Sequence, residues 1–291
     1  MTESQAAATI RSDRTILRIR SLLLIQQRSF RGQLHDDMKI LLTNDDGIFA
    51  PGLAALYREL VKLGDVTVVA PDSVQSGASH SVTFSRPLAC NRVDVDGCFM
   101  GYSVQGSPAD CVKLACMELH DGPVDLLVSG INHGANAGIN VYYSGTVAAA
   151  MEGAFLGVPS VAMSLCVERP GMSGDFEQAA DYCRRVLVEL LPIEAGGVIN
   201  VNIPLLSKGD PKGIRVVPHA NTGFDEKYVS QKTELGQTVY QLVGVDHVND
   251  GSPNDIAILE DGFITITALS EDMTNHERTN RLQEKFDGVV L

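Results

Sequence analysis

The sequence has no tryptophan, few aromatic residues and no long apolar run, and its charge is strongly acidic. Its 291 residues include 23 Lys and Arg against 36 Asp and Glu, a formal net charge of −13 at pH 7. Binding a nucleic-acid backbone requires a clustered basic surface that releases counterions. No such surface is apparent, so we expect no nucleic-acid polymer as partner. No stretch approaches the ~20 apolar residues that span a membrane, so no membrane partner is expected either.

Paired cysteine motifs are also missing. The six cysteines are scattered and none forms a CxxC pair. This usage predicts reduced thiols in a cytoplasmic protein and argues against a thiolate zinc site. Cys111 and Cys116 fall inside a predicted helix, where a small buried side chain is a better interpretation than a nucleophile.

Residues 1–37 differ from the rest of the chain. They carry six arginines and one short apolar patch at residues 21–25. The segment is too charged for a membrane helix and its apolar patch is too weak for a secretory signal. A transit-like presequence remains an alternative. We predict that residues 1–37 are a disordered or non-native extension, and that residues 38–291 form the folded domain.

From Met38 onwards, short apolar runs alternate with segments of helical period, the pattern of βαβ units around a mostly parallel sheet. The predicted strands cover residues 38–43, 66–70, 124–129, 159–165 and 197–203. The predicted helices cover residues 51–63, 108–119, 145–157 and 174–191. Continuous apolarity of the strands indicates that both faces of the sheet are covered. The sequence therefore predicts an α/β core over about residues 38–205.

The pattern changes beyond about residue 205. The segments "GIRVVP", "KYVSQKT", "TVYQLVG" and "GFITITAL" alternate apolar and polar residues, which predicts β-hairpins with one solvent-exposed face. The final segment "EDMTNHERTNRLQEKF" predicts a polar helix with few apolar positions. Such a helix is poorly held by its own amphipathicity and often docks elsewhere. We predict a hairpin-rich oligomerisation part over about residues 206–291.

Oxygen-bearing side chains follow three of the predicted strands. In an open parallel sheet, ligands bind beyond the carboxyl ends of the strands, so these side chains are the first candidates for a site. The first strand is followed by Asn44, Asp45 and Asp46, with Gly47 next in the chain. The second is followed by Asp72, Ser76, Ser79 and the imidazole of His80, and the third by Asn132, Asn136, Ser144 and Thr146.

The adjacent carboxylates of Asp45 and Asp46 are the clearest chemical signal. They repel each other and raise a pKa unless a cation neutralises them. Carboxylate, hydroxyl and amide oxygens without Cys or paired His suit a hard ion, Mg²⁺ or Mn²⁺. The alternative is that the aspartates cap the helix beginning near Pro51. The pair alone leaves both open, and the other two loops favour the metal.

Three further features of the loops could contribute to a site or serve the structure alone. The turn Ser144, Gly145 and Thr146 leads into a helix, where backbone N–H groups and hydroxyls bind an anion or the serine acts as an ordinary cap. Ser107 precedes Pro108 as a predicted helix cap. His80 and His133 are either general acids and bases or solvated loop histidines.

Five motifs in series carry a family resemblance. "MKILLTNDDGIFAPGL", "VAPDSVQSGASHSVT", "GSPADCV", "VSGINHGAN" and "YSGTVAAAMEG" resemble, in order and spacing, the SurE family of stationary-phase survival proteins, metal-dependent nucleoside-monophosphate phosphatases. The resemblance covers Met38 to the C-terminus. It implies a Rossmann-like core, one divalent cation per subunit, 5′/3′-nucleotidase activity, and a homodimer or homotetramer that exchanges C-terminal elements.

The resemblance also implies roles for individual residues. Asp45 and Asp46 would be catalytic, and the metal ligands would be Asp45, Asp46, Ser76 and Asn132. The phosphate site would comprise Asn44, Gly47, Ser107, Asn136, Ser144, Gly145 and Thr146. The chain departs from the family pattern at His80, where asparagine is common, and at His133, where a smaller or non-basic residue is common.

The expected reaction is hydrolysis of nucleoside 5′-monophosphates, and of 3′-monophosphates, to nucleoside and inorganic phosphate. Direct attack by water and an aspartyl-phosphate route are both open. A phospho-receiver module is a rival class, but it needs an aspartate after the third strand, where this chain has "SGIN" at residues 129–132. A sensor that binds nucleotides without hydrolysing them is the second rival.

Overall fold

The computed structural model describes residues 38–168, 174–221, 225–245 and 252–289, so the predicted extension at residues 1–37 lies outside the described part. Eleven strands are assigned there: β1 Lys39–Thr43, β2 Asp65–Pro71, β3 Cys90–Val95, β4 Phe99–Val104, β5 Leu126–His133, β6 Ser160–Leu165, β7 Val198–Ile203, β8 Ile214–Val216, β9 Asp225–Lys232, β10 Thr238–Val245 and β11 Ile264–Leu269. Nine of them form one sheet in the order β3-β4-β2-β1-β5-β6-β7-β11-β8, and β9 pairs with β10 in a separate hairpin. The strands from β4 to β7 in this order are parallel.

The α-helices within the described residues are α1 Pro51–Leu60, α2 Pro108–Leu114, α3 Gly145–Phe155, α4 Phe176–Leu190, α5 Asp255–Glu260 and α6 His276–Phe286, and α2 continues as a π-helix over Ala115–Leu119. Helices α1 to α4 cover the two faces of the sheet. Neighbouring residues of β1 show this directly, because Leu42 packs in a cluster with α1 and α4, whereas Leu41 packs in a second cluster with α2 and α3. Both leucines are fully buried, as expected for a strand covered on both sides.

All five predicted strands and all four predicted helices occur, with ends shifted by a few residues. The α/β fold class with a mostly parallel sheet is therefore confirmed. The sequence did not predict β3, β4 or α5. β3 lies at the edge of the sheet, and its "CNRVDV" segment has only one buried residue, so it lacks the continuous apolar signal of the central strands.

The hairpin prediction for the C-terminal strands was only half right. β9 and β10 do form an antiparallel hairpin. β8 and β11 instead run parallel to each other and extend the main sheet beside β7. The alternation in β11 was misleading because Thr265 and Thr267 are buried as well, and Thr267 donates a hydrogen bond to the Val217 carbonyl at 2.9 Å.

The last helix, α6, has no buried residue within the described chain. Its docking on a neighbouring subunit, and the division of the chain near residue 205, stay predictions. No helix among the described residues is both long and apolar enough to cross a membrane.

The parallel strands bring their carboxyl ends to one edge of the sheet, where the predicted site loops begin. β5 changes register against β6 between Ser129 and Asn132. Gly130 lies at this irregularity with a φ of 144°, and a β carbon there would lie 2.3 Å from the Met163 carbonyl oxygen. Glycine is therefore required where β5 passes close to β6.

Candidate functional site

The acidic pair lies directly after β1, at the carboxyl edge of the sheet. Asp45 is buried, with only 3% of the residue exposed. Burial raises the pKa of Asp45 to about 6, the hydrogen bond from Thr146 opposes the shift, and the charge of Asp46 adds to it. Burial also raises the pKa of Asp46, against a backbone hydrogen bond from His133. The fold thus disfavours the charged forms of two adjacent carboxyl groups.

The start of α3 packs against Asp45. The Thr146 hydroxyl donates a 2.5 Å hydrogen bond to Asp45 Oδ1. At Gly145, a β carbon would lie 2.8 Å from Asp45 Cβ and 3.0 Å from Asp45 Oδ2. Ser144 caps the helix by accepting from the Val147 N–H at 3.0 Å. The N–H groups of the first turn of α3 therefore lie beside the acidic pair, where they can bind an anion.

The loop after β2 brings Ser76 to the same place. The Gln75 N–H donates to the Asp45 carbonyl oxygen at 2.7 Å, so the next residue, Ser76, lies beside the acidic pair and is exposed. Further along, Ser79 donates its hydroxyl to the Tyr142 carbonyl at 2.7 Å. The loop is therefore attached both to the turn that contains the acidic pair and to the turn that precedes α3.

The end of β5 completes the group. The His133 N–H donates to Asp46 Oδ2 at 3.0 Å, which places Asn132 next to the pair. The Asn132 amide nitrogen donates to the Gly134 carbonyl at 2.8 Å, and this leaves its amide oxygen as the atom suited to bind a cation. In the part of the chain that the structure describes, no group of three His, Cys, Asp or Glu side chains is placed to hold a metal. A cation here would depend on hydroxyl and amide oxygens in addition to two carboxylates.

Asn44 and Gly47 flank the acidic pair and close the turn that contains it. The Asn44 amide donates to the Gly47 carbonyl at 2.9 Å, and its oxygen accepts from the Gly47 N–H at 3.2 Å. Gly47 has a φ of 99°, a conformation that favours glycine. Both residues therefore shape the backbone around Asp45 and Asp46.

Ser107 caps α2 in a capping box with Asp110, and its hydroxyl donates to the Ser81 carbonyl at 2.5 Å. The next residue, Pro108, lies 3.2 Å from the position of a β carbon at Gly145, so α2 begins close to the acidic pair. Ser107 and Gln75 line a cavity of about 320 Å³. This cavity lies beside the candidate site.

Asn136 belongs to a buried polar cluster at the ends of β6 and β7. Its amide nitrogen donates to the Ser164 hydroxyl at 2.8 Å, and its carbonyl accepts from Asn200 at 2.7 Å and from Asn202 at 3.1 Å. These bonds anchor the loop after β5. A direct role of Asn136 at a phosphate stays a prediction.

Comparison with known proteins identifies the family. The family model described as "Survival protein SurE" matches residues 40–226. A protein named 5′-nucleotidase SurE from Rhodopirellula baltica is 43% identical over 253 residues, covering 85% of this chain and 98% of that protein. The protein of the same name from Syntrophus aciditrophicus is 42% identical over 250 residues, covering 84% of this chain and 93% of that protein. The chain belongs to the SurE family.

The fold agrees with a solved SurE structure. The crystal structure of the SurE protein from Aquifex aeolicus superposes with a TM-score of 0.72 at 36% identity, covering 85% of this chain and 99% of that one. The resemblance carried by the five motifs is therefore confirmed, as is the α/β architecture.

Within this SurE fold, two of the alternative interpretations can be decided. The cap of α1 is Ala50, which makes no side-chain capping bond, so the interpretation of Asp45 and Asp46 as helix caps is wrong. All six cysteines are unpaired. Burial raises the pKa of the Cys111 thiol well above its usual value, which disfavours the thiolate and fits a packing role.

The sequence did not indicate two contacts of this site. One is the backbone N–H of His133 on Asp46, which leaves no trace in residue type. The other is the contact of His80 with Glu152, a residue of α3 whose side chain is 5% exposed. Its signal in the sequence is a single acidic residue within the otherwise apolar run "VAAAMEGAF".

Proposed function

We propose that this chain is a metal-dependent nucleotidase that hydrolyses nucleoside 5′-monophosphates, and also 3′-monophosphates, to nucleoside and inorganic phosphate. The observation that carries the proposal is the pair Asp45 and Asp46 packed against the N-terminus of α3, because this arrangement offers a cation site and an anion site side by side. The relatives named 5′-nucleotidase SurE support the choice of substrate.

The cofactor in this proposal is one Mg²⁺ or Mn²⁺ per subunit, held by Asp45, Asp46, Ser76 and Asn132. The donor set fits, since all four side chains offer hard oxygen atoms. In addition, no lysine or arginine of the described residues forms an ion pair with either aspartate. Burial raises the pKa of both carboxyl groups, so a bound cation would relieve an unfavourable charge.

The other residues of the site bind the phosphate group and orient the Asp45 carboxylate. Asp45, Asp46, Ser76 and Asn132 would hold the cation, which would supply Lewis-acid polarisation when bound. N–H groups in the first turn of α3 and the Ser144 hydroxyl bind the remaining phosphate oxygens as charge develops on them. Thr146 fixes the Asp45 carboxylate through its hydroxyl. We place water as the nucleophile: its oxygen forms a bond to phosphorus as the bond between phosphorus and the nucleoside oxygen breaks. A proton lost by the water ends on the leaving oxygen.

Release of inorganic phosphate from AMP or GMP tests the function. We expect release with added Mn²⁺ or Mg²⁺ and loss of release with a chelator. Binding of nucleotide without phosphate release would favour the sensor. A substrate made chiral at phosphorus extends the assay, because direct attack by water inverts the configuration, whereas two successive displacements through an aspartyl-phosphate retain it.

Metal binding should weaken in mild acid. Burial raises the pKa of Asp45 to about 6, so below that pH a proton occupies the carboxylate and competes with the cation. The affinity for Mn²⁺ should fall by up to ~10-fold per pH unit below the pKa. Titration with Mn²⁺ followed by electron paramagnetic resonance of the free ion measures this at about pH 5 and about pH 7. Equal affinities at the two pH values would contradict it.

A further inference from the structure

Glu152 is an acidic residue in the buried face of α3. Its side chain is 5% exposed, and a carboxylate in such a place needs partners to offset its lost hydration. Two partners provide this. Lys113 Nζ lies 2.5 Å from Oε1, and His80 Nε2 lies 2.9 Å from Oε2. Because an ionised carboxylate only accepts hydrogen bonds, the proton of this contact belongs to His80 Nε2.

The three residues belong to three segments that meet at the candidate site. His80 follows Ser76 by four residues in the loop after β2. Lys113 lies on α2, which Ser107 caps, and Glu152 lies on α3, which Ser144 caps. A single buried carboxylate therefore joins the loop and the two helices behind the proposed metal and phosphate positions.

The loop end that carries His80 is fixed further by packing. The imidazole stacks on the Phe155 ring with centroids 5.4 Å apart and planes 7° from parallel. Ser79 adopts a φ of 52°, which is uncommon for a residue other than glycine, and its hydroxyl is bonded to the Tyr142 carbonyl. Ser76 itself is exposed, so its position depends on attachments elsewhere in the loop.

The geometry points to Glu152 and His80 as positioning residues that hold the Ser76 loop over Asp45 and Asp46. This inference rests on the proposed function, because it takes Ser76 as a metal ligand. Its consequence concerns metal affinity, since a ligand on a loosely held loop binds only after the loop is ordered. For this role, residue 80 must carry a hydrogen-bond donor that reaches the Glu152 carboxylate.

Two substitutions of His80 test this requirement. His80→Ala removes the donor, and we expect Mn²⁺ affinity to fall by about 10-fold. His80→Gln places an amide nitrogen near the position of imidazole Nε2, and we expect affinity within about 3-fold of the unaltered protein. Electron paramagnetic resonance of free Mn²⁺ measures binding directly, without turnover. Glu152→Gln leaves one acceptor oxygen for the two donors Lys113 Nζ and His80 Nε2. Binding should therefore weaken in the same direction as in His80→Ala.

Thermal unfolding of each metal-free variant shows whether the fold is retained. Unaltered Mn²⁺ affinity in His80→Ala would overturn the inference, and so would an equal loss in His80→Ala and His80→Gln. Failure of the proposed metal site would look different. The unaltered protein would then bind no Mn²⁺, or Asp46→Asn would bind Mn²⁺ as tightly as the unaltered protein does. A loss confined to His80→Ala and Glu152→Gln supports the positioning role.

Discussion

Replacing Asp46 by asparagine should lower kcat for AMP by about 10³-fold while the fold stays intact. The change removes one negative charge from the proposed cation site and keeps the side-chain shape. The asparagine oxygen can still accept the bond that the His133 N–H makes to Oδ2 at 3.0 Å. Burial raises the pKa of Asp46, so the folded protein disfavours this charge, and its removal should not reduce the stability of the metal-free protein.

The matched control is Asp65→Asn, the same chemical change at the first residue of β2. The Asp65 side chain is 73% exposed and lies at the amino end of the sheet, away from the acidic pair. We expect Asp65→Asn to release phosphate at the rate of the unaltered protein. Both Asp46→Asn and Asp65→Asn should give the circular dichroism spectrum of the unaltered protein. Full activity of Asp46→Asn would refute the metal-site proposal.

Gly145→Ala should lower kcat/KM by about 100-fold. The new β carbon would lie 2.8 Å from Asp45 Cβ, 3.0 Å from Asp45 Oδ2 and 3.2 Å from Pro108 Cγ, so Asp45 or the start of α2 or α3 must move. Each of these belongs to the proposed site, and a displacement of about 1 Å there misaligns the phosphate with its binding groups. Alanine itself is favourable in a helix, so the loss comes from the contact with Asp45.

Gly197→Ala provides the comparison for this variant. Gly197 directly precedes β7, and a β carbon there would meet its nearest atom, the Leu269 carbonyl oxygen, at 3.2 Å. Phosphate-release kinetics with AMP and Mn²⁺ titrations of both variants should show a loss only in Gly145→Ala. If Gly145→Ala retains the kcat/KM of the unaltered protein, the close approach of α3 to Asp45 has no catalytic importance.

Local sequence patterns predicted a strand or helix correctly where the burial and capping of a segment are visible in its own residues. Central parallel strands such as β1 are apolar throughout because both faces are buried. The starts of α2 and α3 were predicted because Ser107 and Ser144 cap them. Patterns failed for β11, since the buried threonines 265 and 267 imitate the alternation of a strand with one solvent-exposed face.

The sequence by itself determined the fold class, the SurE motifs and the strand ends at which Asp45 and Asp46 would lie. Only the tertiary structure decided which groups reach them. Thr146 bonds to Asp45 across 101 residues, the His133 N–H to Asp46 across 87, and His80 to Glu152 across 72. The physical reason is that the sheet and its helices bring segments distant in sequence into contact, whereas periodicity and capping signals extend over only a few residues.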